Sequence, residues 1–115
     1  MSFYKLGIKS DLVYALELQK IYAPTPIQTL SIPQILAKKD LIAEAQTGTG
    51  KTLAFLLPLF QILDLNSNSI QALIIAPTRE LAIQITKVAN DLANIKHFNI
   101  LSVYGGQDVN AQIHN

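Results

Sequence analysis

Ala45-Gln46-Thr47-Gly48-Thr49-Gly50-Lys51-Thr52 decides how this chain folds, because it joins an apolar run at residues 41–45 to a long apolar stretch beginning at Lys51. A loop of this composition is suited to holding an anion. Small residues let successive backbone N–H groups converge on one point. A helix starting behind them adds its free N–H groups and the positive end of its dipole. Gly48 and Gly50 supply backbone angles that other residues resist. Lys51 is placed to reach the β- and γ-phosphates of a nucleotide, and Thr52 to offer its hydroxyl to Mg²⁺. The generic pattern is G-x-x-x-x-G-K-[ST], and here its first glycine is Ala45. A solvent-exposed turn with an ordinary lysine is the blander reading, and the strand–loop–helix setting argues against it.

Outward from the loop, apolar periodicity sets the elements. Residues 10–19 carry Leu12, Val13, Leu16 and Leu18 without a breaker, which predicts a short helix capped by Ser10. Residues 22–26 hold two prolines around Thr25 and predict a turn or extended segment. Residues 27–37 are helix-like, with a break or kink expected at Pro33. Residues 51–63 predict a helix bent at Pro58. Residues 79–93 place Leu81, Ile85, Val88, Ala89 and Leu92 on one face of an amphipathic helix. Residues 41–45, 71–76 and 99–104 are short apolar runs and predict buried strands, the last ending at Gly105-Gly106. Residues 107–115 are polar and predict either a further helix start or a frayed end.

Helices alternating with uniformly apolar strands imply an α/β fold with a mainly parallel sheet. Only about three strands are expected, where open sheets commonly have about four to six, so the sequence is expected to stop before its domain is complete. An isolated chain of this kind is expected to expose apolar faces and a sheet edge, to aggregate, and to bind nucleotide weakly at best.

Composition narrows the function. Half of the 115 residues are hydrophobic, enough for a core. The net charge of +1 excludes binding to a polyanion by bulk charge, so any nucleic-acid contact must come from a few placed groups. Without cysteine there is neither a disulfide nor a cysteine zinc site. No secretory signal is visible, and the apolar stretch at 53–63 is too short to span a membrane, so a cytoplasmic protein is expected.

Beside the phosphate loop stand Phe55-Leu56-Leu57-Pro58 downstream and Pro24-Thr25-Pro26-Ile27-Gln28 upstream. Together they resemble motif I and the Q motif of DEAD-box RNA helicases. Pro77-Thr78-Arg79-Glu80-Leu81-Ala82 is similar to that family's motif Ia, and Gly105-Gly106 to its paired-glycine element. The resemblance runs in family order from Phe3 to Gly106. It implies a RecA-like P-loop NTPase domain, a three-layer sandwich, of which residues 1–115 form the amino-terminal portion. Within it the Q motif lies at about 3–28, the P-loop at 45–52, motif Ia at 77–82 and the Gly-Gly element at 105–106.

The same resemblance implies the roles. Gln28 selects adenine and Phe3 packs near it. Gln46, Thr47, Gly48, Thr49, Gly50, Lys51 and Thr52 hold the phosphates of ATP, with Thr52 on Mg²⁺ and with Lys51 and Thr52 serving catalysis. Pro77, Thr78, Arg79, Gly105 and Gly106 line an RNA-backbone groove, positioning a strand without reading its bases. The implied partners are RNA and the remainder of the helicase core, with no membrane. Two departures stand out: Lys20 and Ile21 occupy the places of the family's glycine and aromatic residue, with Tyr22 as a shifted substitute.

The Asp-Glu-Ala-Asp and Ser-Ala-Thr motifs do not occur in these 115 residues. The chain by itself is therefore not expected to hydrolyse ATP, since phosphoryl transfer needs metal, water and positive charge around the γ-phosphate. A non-enzymatic nucleotide-binding or interaction fragment from a truncated or split gene is the alternative, and a P-loop enzyme outside the helicases is a third reading. Elsewhere the plainer readings hold. His97 and His114 are expected at the surface, Asp11 and Glu17 on a solvated face, and Lys38 and Lys39 at a helix end. Tyr4, Tyr14 and Tyr104 are expected to pack. Arg79 is left open between phosphate contact and structural pairing.

Overall fold

The computed structural model describes residues 1–46 and 48–103. It divides into two compact units, Met1–Asp64 and Leu65–Asn115. Thr47, Tyr104, Gly105, Gly106, His114 and the rest of 107–115 lie outside the described residues.

The first unit is built on three helices preceded by a 3-10 turn at Tyr4–Leu6. Helix α1 spans Ser10–Leu18 and buries Leu12, Val13, Ala15 and Leu16. Ser10 is its first residue rather than its cap; Lys9 holds the capping position, and the Asp11 carboxylate accepts from the Leu12 N–H at 2.8 Å instead. Helix α2 spans Pro26–Leu36, and helix α3 spans Lys51–Ile62. Pro26 sits in the first turn of α2, where its missing N–H costs nothing. Pro33 and Pro58 lie inside continuous helices. α2 packs along α3. Leu12, Leu16, Ile32, Leu56 and Leu57 are fully buried, each worth about 1.5–3 kcal/mol of apolar transfer.

Two of these helices end in the same way. After α1, the Ile21 N–H donates to the Leu16 carbonyl and the Lys20 N–H to the Glu17 carbonyl, both at 2.9 Å. After α2, Lys39 donates to Gln34 at 3.1 Å and Lys38 to Ile35 at 2.8 Å. This paired arrangement needs a left-handed residue just past the helix, usually glycine. Here lysine fills it, with φ of 62° at Lys20 and 60° at Lys38. Lys38 thus terminates α2 by its backbone, beyond the solubilising role its charge suggests. Lys20, which stands where the resemblance implies a glycine, thus has a left-handed conformation of the kind glycine favours.

In the second unit, helix α4 spans Arg79–Lys96, three residues longer than its periodicity predicts. Ala89 and Leu92 are buried, and Leu81, Ile85 and Val88 are half-buried on the same face. Thr78 caps it, its hydroxyl accepting from the Leu81 N–H at 3.1 Å. His97 ends it at φ 58° and is exposed, as expected of a surface histidine. Thr86 Oγ1 donates to the Ala82 carbonyl at 2.7 Å and meets Ser102 Oγ at 2.6 Å, tying the segment after the helix back onto it.

Among the described residues no strand occurs, and 41–45, 71–76 and 99–103, expected as strands, are irregular. Ile42 is 94% exposed and Ile75 85%, where burial was expected. Two tyrosines also depart from expectation. Tyr4 and Tyr14 are exposed rather than packed.

Candidate functional site

The P-loop residues meet α2 at the start of α3. Gly48 and Gly50 both take positive φ, 85° and 87°, and Gly50 caps α3 in the left-handed conformation. The loop is braced from inside by Thr49, whose hydroxyl donates to the Gln46 carbonyl at 2.6 Å. The Gly50 carbonyl accepts the first helical bond, from the Ala54 N–H at 3.1 Å. Lys51 opens α3 and is exposed, while Thr52 follows half-buried.

Gly50 is fixed by space as well as conformation. A Cβ built there meets the Gln28 amide nitrogen far inside contact distance and Thr25 Oγ1 at 3.0 Å. At Gly48 a Cβ meets nothing within 4 Å. One glycine is therefore required by its backbone angles alone, and the other also by the close approach of the Thr25–Gln28 turn.

That turn opens α2. The Gln28 side-chain Oε1 accepts from the Thr25 N–H at 2.9 Å, one arm of a capping box. The amide nitrogen crosses to the P-loop and donates to the Gly50 carbonyl at 3.1 Å. The Thr25 side chain faces the Gln28 backbone N–H as the reciprocal arm of the box, and its Oγ1 is buried. Gln28 is 2% exposed and uses one N–H and one lone pair in these two bonds. A primary amide carries two of each.

The structure thus brings Gln28, Thr25, Gly50 and Lys51 to one junction. Phe3, expected near adenine, is 2% exposed in the core of the same unit. An open cavity of about 480 Å³ lies beside Lys51, lined by Ile27, Ser31 and Ile35 of α2 and by Ala54 and Phe55 of α3. Lys51 itself borders it, and Gly48 and Gly50 are not among its lining residues. The second unit presents Pro77, Thr78 and Arg79 at the exposed start of α4. No cluster of three acidic or histidine side chains suited to a metal occurs among the described residues. No described helix is long and apolar enough to cross a membrane. Sequence reasoning missed the buried contact between Gly50 and the Thr25–Gln28 turn; the spacing from Thr25 to Gln28 announces the capping box, but nothing in it announces the reach to Gly50.

A glycine-bearing loop capping a helix that begins Lys-Thr places the chain among the P-loop nucleotide-binding proteins, and solved neighbours share that fold. Its backbone matches a DEAD box protein of the hyperthermophile Methanococcus jannaschii with a TM-score of 0.91 at 36% identity, over 99% of this chain and 31% of that one. It matches an RNA helicase of Chaetomium thermophilum, solved with ADP, at 0.85 and 39% identity, over 95% of this chain and 28% of that one. The DEAD/DEAH box helicase family model matches residues 25–115, and the chain belongs to that family. An ATP-dependent RNA helicase, CshA, of Listeria monocytogenes is 49% identical over 111 residues, covering 96% of this chain and 21% of the relative. The Geobacillus kaustophilus CshA is 42% identical over 97% of this chain and 24% of its own length. The chain thus spans less than a quarter of these curated relatives.

Proposed function

We propose that this chain supplies the ATP-binding part, and one section of the RNA-backbone face, of a DEAD-box ATP-dependent RNA helicase. The observation that carries the reading is the hydrogen bond from Gln28 to the Gly50 carbonyl. It joins the residue expected to read adenine to the loop expected to hold the phosphates, so base recognition is transmitted to the phosphate end of the site. The remaining N–H and lone pair of Gln28 match the donor and acceptor needs of an adenine edge.

In this reading the backbone around Gly48 and Gly50, the Lys51 ammonium and the start of α3 bind and orient the triphosphate. The Thr52 hydroxyl contributes one ligand to Mg²⁺, an ion that takes its other oxygens mainly from phosphates and water. The metal, when bound, neutralises charge on the phosphates during transfer. Phe3 packs near the base. The start of α4, at Pro77, Thr78 and Arg79, and Gly105-Gly106 contact RNA phosphates through helix N–H groups and backbone. The apolar runs at 41–45, 71–76 and 99–104 pair in a mainly parallel sheet within a three-layer RecA-like domain, which buries side chains such as Ile42 and Ile75. The protein works in the cytoplasm on RNA, with the rest of the helicase core as partner. Support for RNA as the substrate comes from relatives named as RNA helicases and from a yeast neighbour solved with RNA and ADP BeF3, 30% identical with a TM-score of 0.79 over 95% of this chain and 30% of that one.

The test is RNA-stimulated ATP hydrolysis by the native protein that carries this sequence. Lys51→Ala is expected to lower turnover by about 100-fold or more, the scale for removing one charge-stabilising group from a transition state. Turnover that survives Lys51→Ala rules out the proposal.

A further inference from the structure

The cavity beside Lys51 is built by two helix faces and one irregular segment of the first unit. Ile27, Ser31 and Ile35 are spaced four residues apart on α2 and so lie in one row. Lys51, Ala54 and Phe55 have the i, i+3, i+4 spacing of a single face of α3. Leu41 and Ala43 border the third side. Between them Ile42 is 94% exposed, so successive side chains of this segment point to opposite sides. A layer that covers Ile42 therefore lies across the segment from the cavity.

Walls and mouth differ in chemistry. Ser31 and Ala54 are buried and Ile27, Ile35 and Phe55 half-buried, which makes a mainly apolar floor with one hydroxyl. The charged lining residues are Lys39, Asp40 and Lys51, all exposed. Two ammonium groups and one carboxylate leave a single net positive charge at the rim. That balance suits a ligand with one negative charge, while Asp40 disfavours a polyanion. The Phe55 ring offers a face for another ring. A volume of about 480 Å³ lies within the size range of small-molecule sites. Of the described residues expected to hold nucleotide, only Lys51 lines it.

We propose that this cavity binds a small aromatic carboxylate, its ring between α2 and α3 and its carboxylate on Lys51 and Lys39. Lys51 has one ammonium on a flexible stem. Drawn to a carboxylate in the cavity, that ammonium is withdrawn from the phosphates of ATP, so the two ligands oppose each other's binding. The opposition rests on the P-loop reading given above; the cavity site does not.

The probe is 2-naphthoate, titrated calorimetrically into the native protein that carries this sequence, with neutral 2-naphthamide as its isostere. Naphthoate is expected to saturate one site with a Kd of about 1 mM or tighter, the scale for a ligand of about 13 non-hydrogen atoms. Naphthamide is expected to bind about tenfold more weakly, the scale of a lost charged hydrogen bond. Ser31→Phe puts a ring into the cavity and is expected to abolish binding of both. Lys39→Gln, at the exposed rim, is expected to weaken naphthoate about threefold and to leave naphthamide and ATP unchanged. Saturating naphthoate is expected to weaken ATP binding by about tenfold. Naphthoate that does not saturate, binds no better than naphthamide, or is indifferent to Lys39→Gln overturns the cavity site, as does full binding by a folded Ser31→Phe variant. ATP affinity untouched by saturating naphthoate overturns the opposition. Wild-type protein that fails to bind ATP overturns the P-loop reading and the opposition with it, while the naphthoate titrations still decide the cavity site.

Discussion

Alanine at Gly48 and at Gly50 separates two reasons for a glycine that look alike in sequence. Both residues have φ near 86°, so each substitution meets the left-handed penalty of about 1–2 kcal/mol. Alanine recovers about 0.4–1 kcal/mol of that by stiffening the unfolded chain. With open space around its Cβ, Gly48→Ala should lower stability by about 0.5–1 kcal/mol. Gly50→Ala adds a collision with the Gln28 amide. To escape it, Gln28 must give up its 3.1 Å bond to the Gly50 carbonyl while remaining almost fully buried. A buried amide left without its partner costs about 1–3 kcal/mol, so the total should be about 2–4 kcal/mol. Urea unfolding of the native protein and the two variants measures the difference, provided the slope with denaturant is unchanged. Equal losses at the two positions would falsify the claim that the Thr25–Gln28 turn presses on Gly50.

Three other substitutions probe the frame around the site. Lys20→Gly should stabilise the protein by about 0.5–1 kcal/mol, because a left-handed helix end relaxes when its side chain is removed; thermal melting should show a higher midpoint, and a lower one contradicts the φ of 62°. Thr78→Ala removes the hydroxyl that accepts from Leu81 and should cost about 1 kcal/mol, read as faster amide exchange in the first turn of α4. Leu16→Ala opens a void at a fully buried position and should cost about 2–5 kcal/mol in a denaturant titration; a loss below about 1 kcal/mol would place Leu16 outside the core.

The helices were legible because their information is local. Apolar spacing located α1, α2, α3 and α4 to within a few residues, and Pro26 and Thr25 marked where α2 begins. The strands were not legible to the same degree. An apolar run such as 71–76 says that a segment favours burial but not which neighbour provides it, and a strand exists only through that neighbour. Helix ends at Lys20 and Lys38 were hidden for another reason: the left-handed position normally advertises itself by glycine, and here it holds lysine. At the site, the P-loop stood out by residue types at fixed spacing, and Gln28 by the resemblance of Pro24-Thr25-Pro26-Ile27-Gln28 to the Q motif. The pairing of Gln28 with Gly50 did not, because it joins residues 22 positions apart and depends on how α2 and α3 pack.

The central claim is that an adenine-reading glutamine is wired to a phosphate loop. Its most direct measurement is the affinity of the native protein for ATP and for GTP, repeated in Gln28→Ala. The account predicts that wild type prefers ATP by about tenfold or more, the scale of one bidentate base contact, and that Gln28→Ala abolishes the preference. Equal affinity of wild type for the two nucleotides, or a preference that persists in Gln28→Ala, contradicts it.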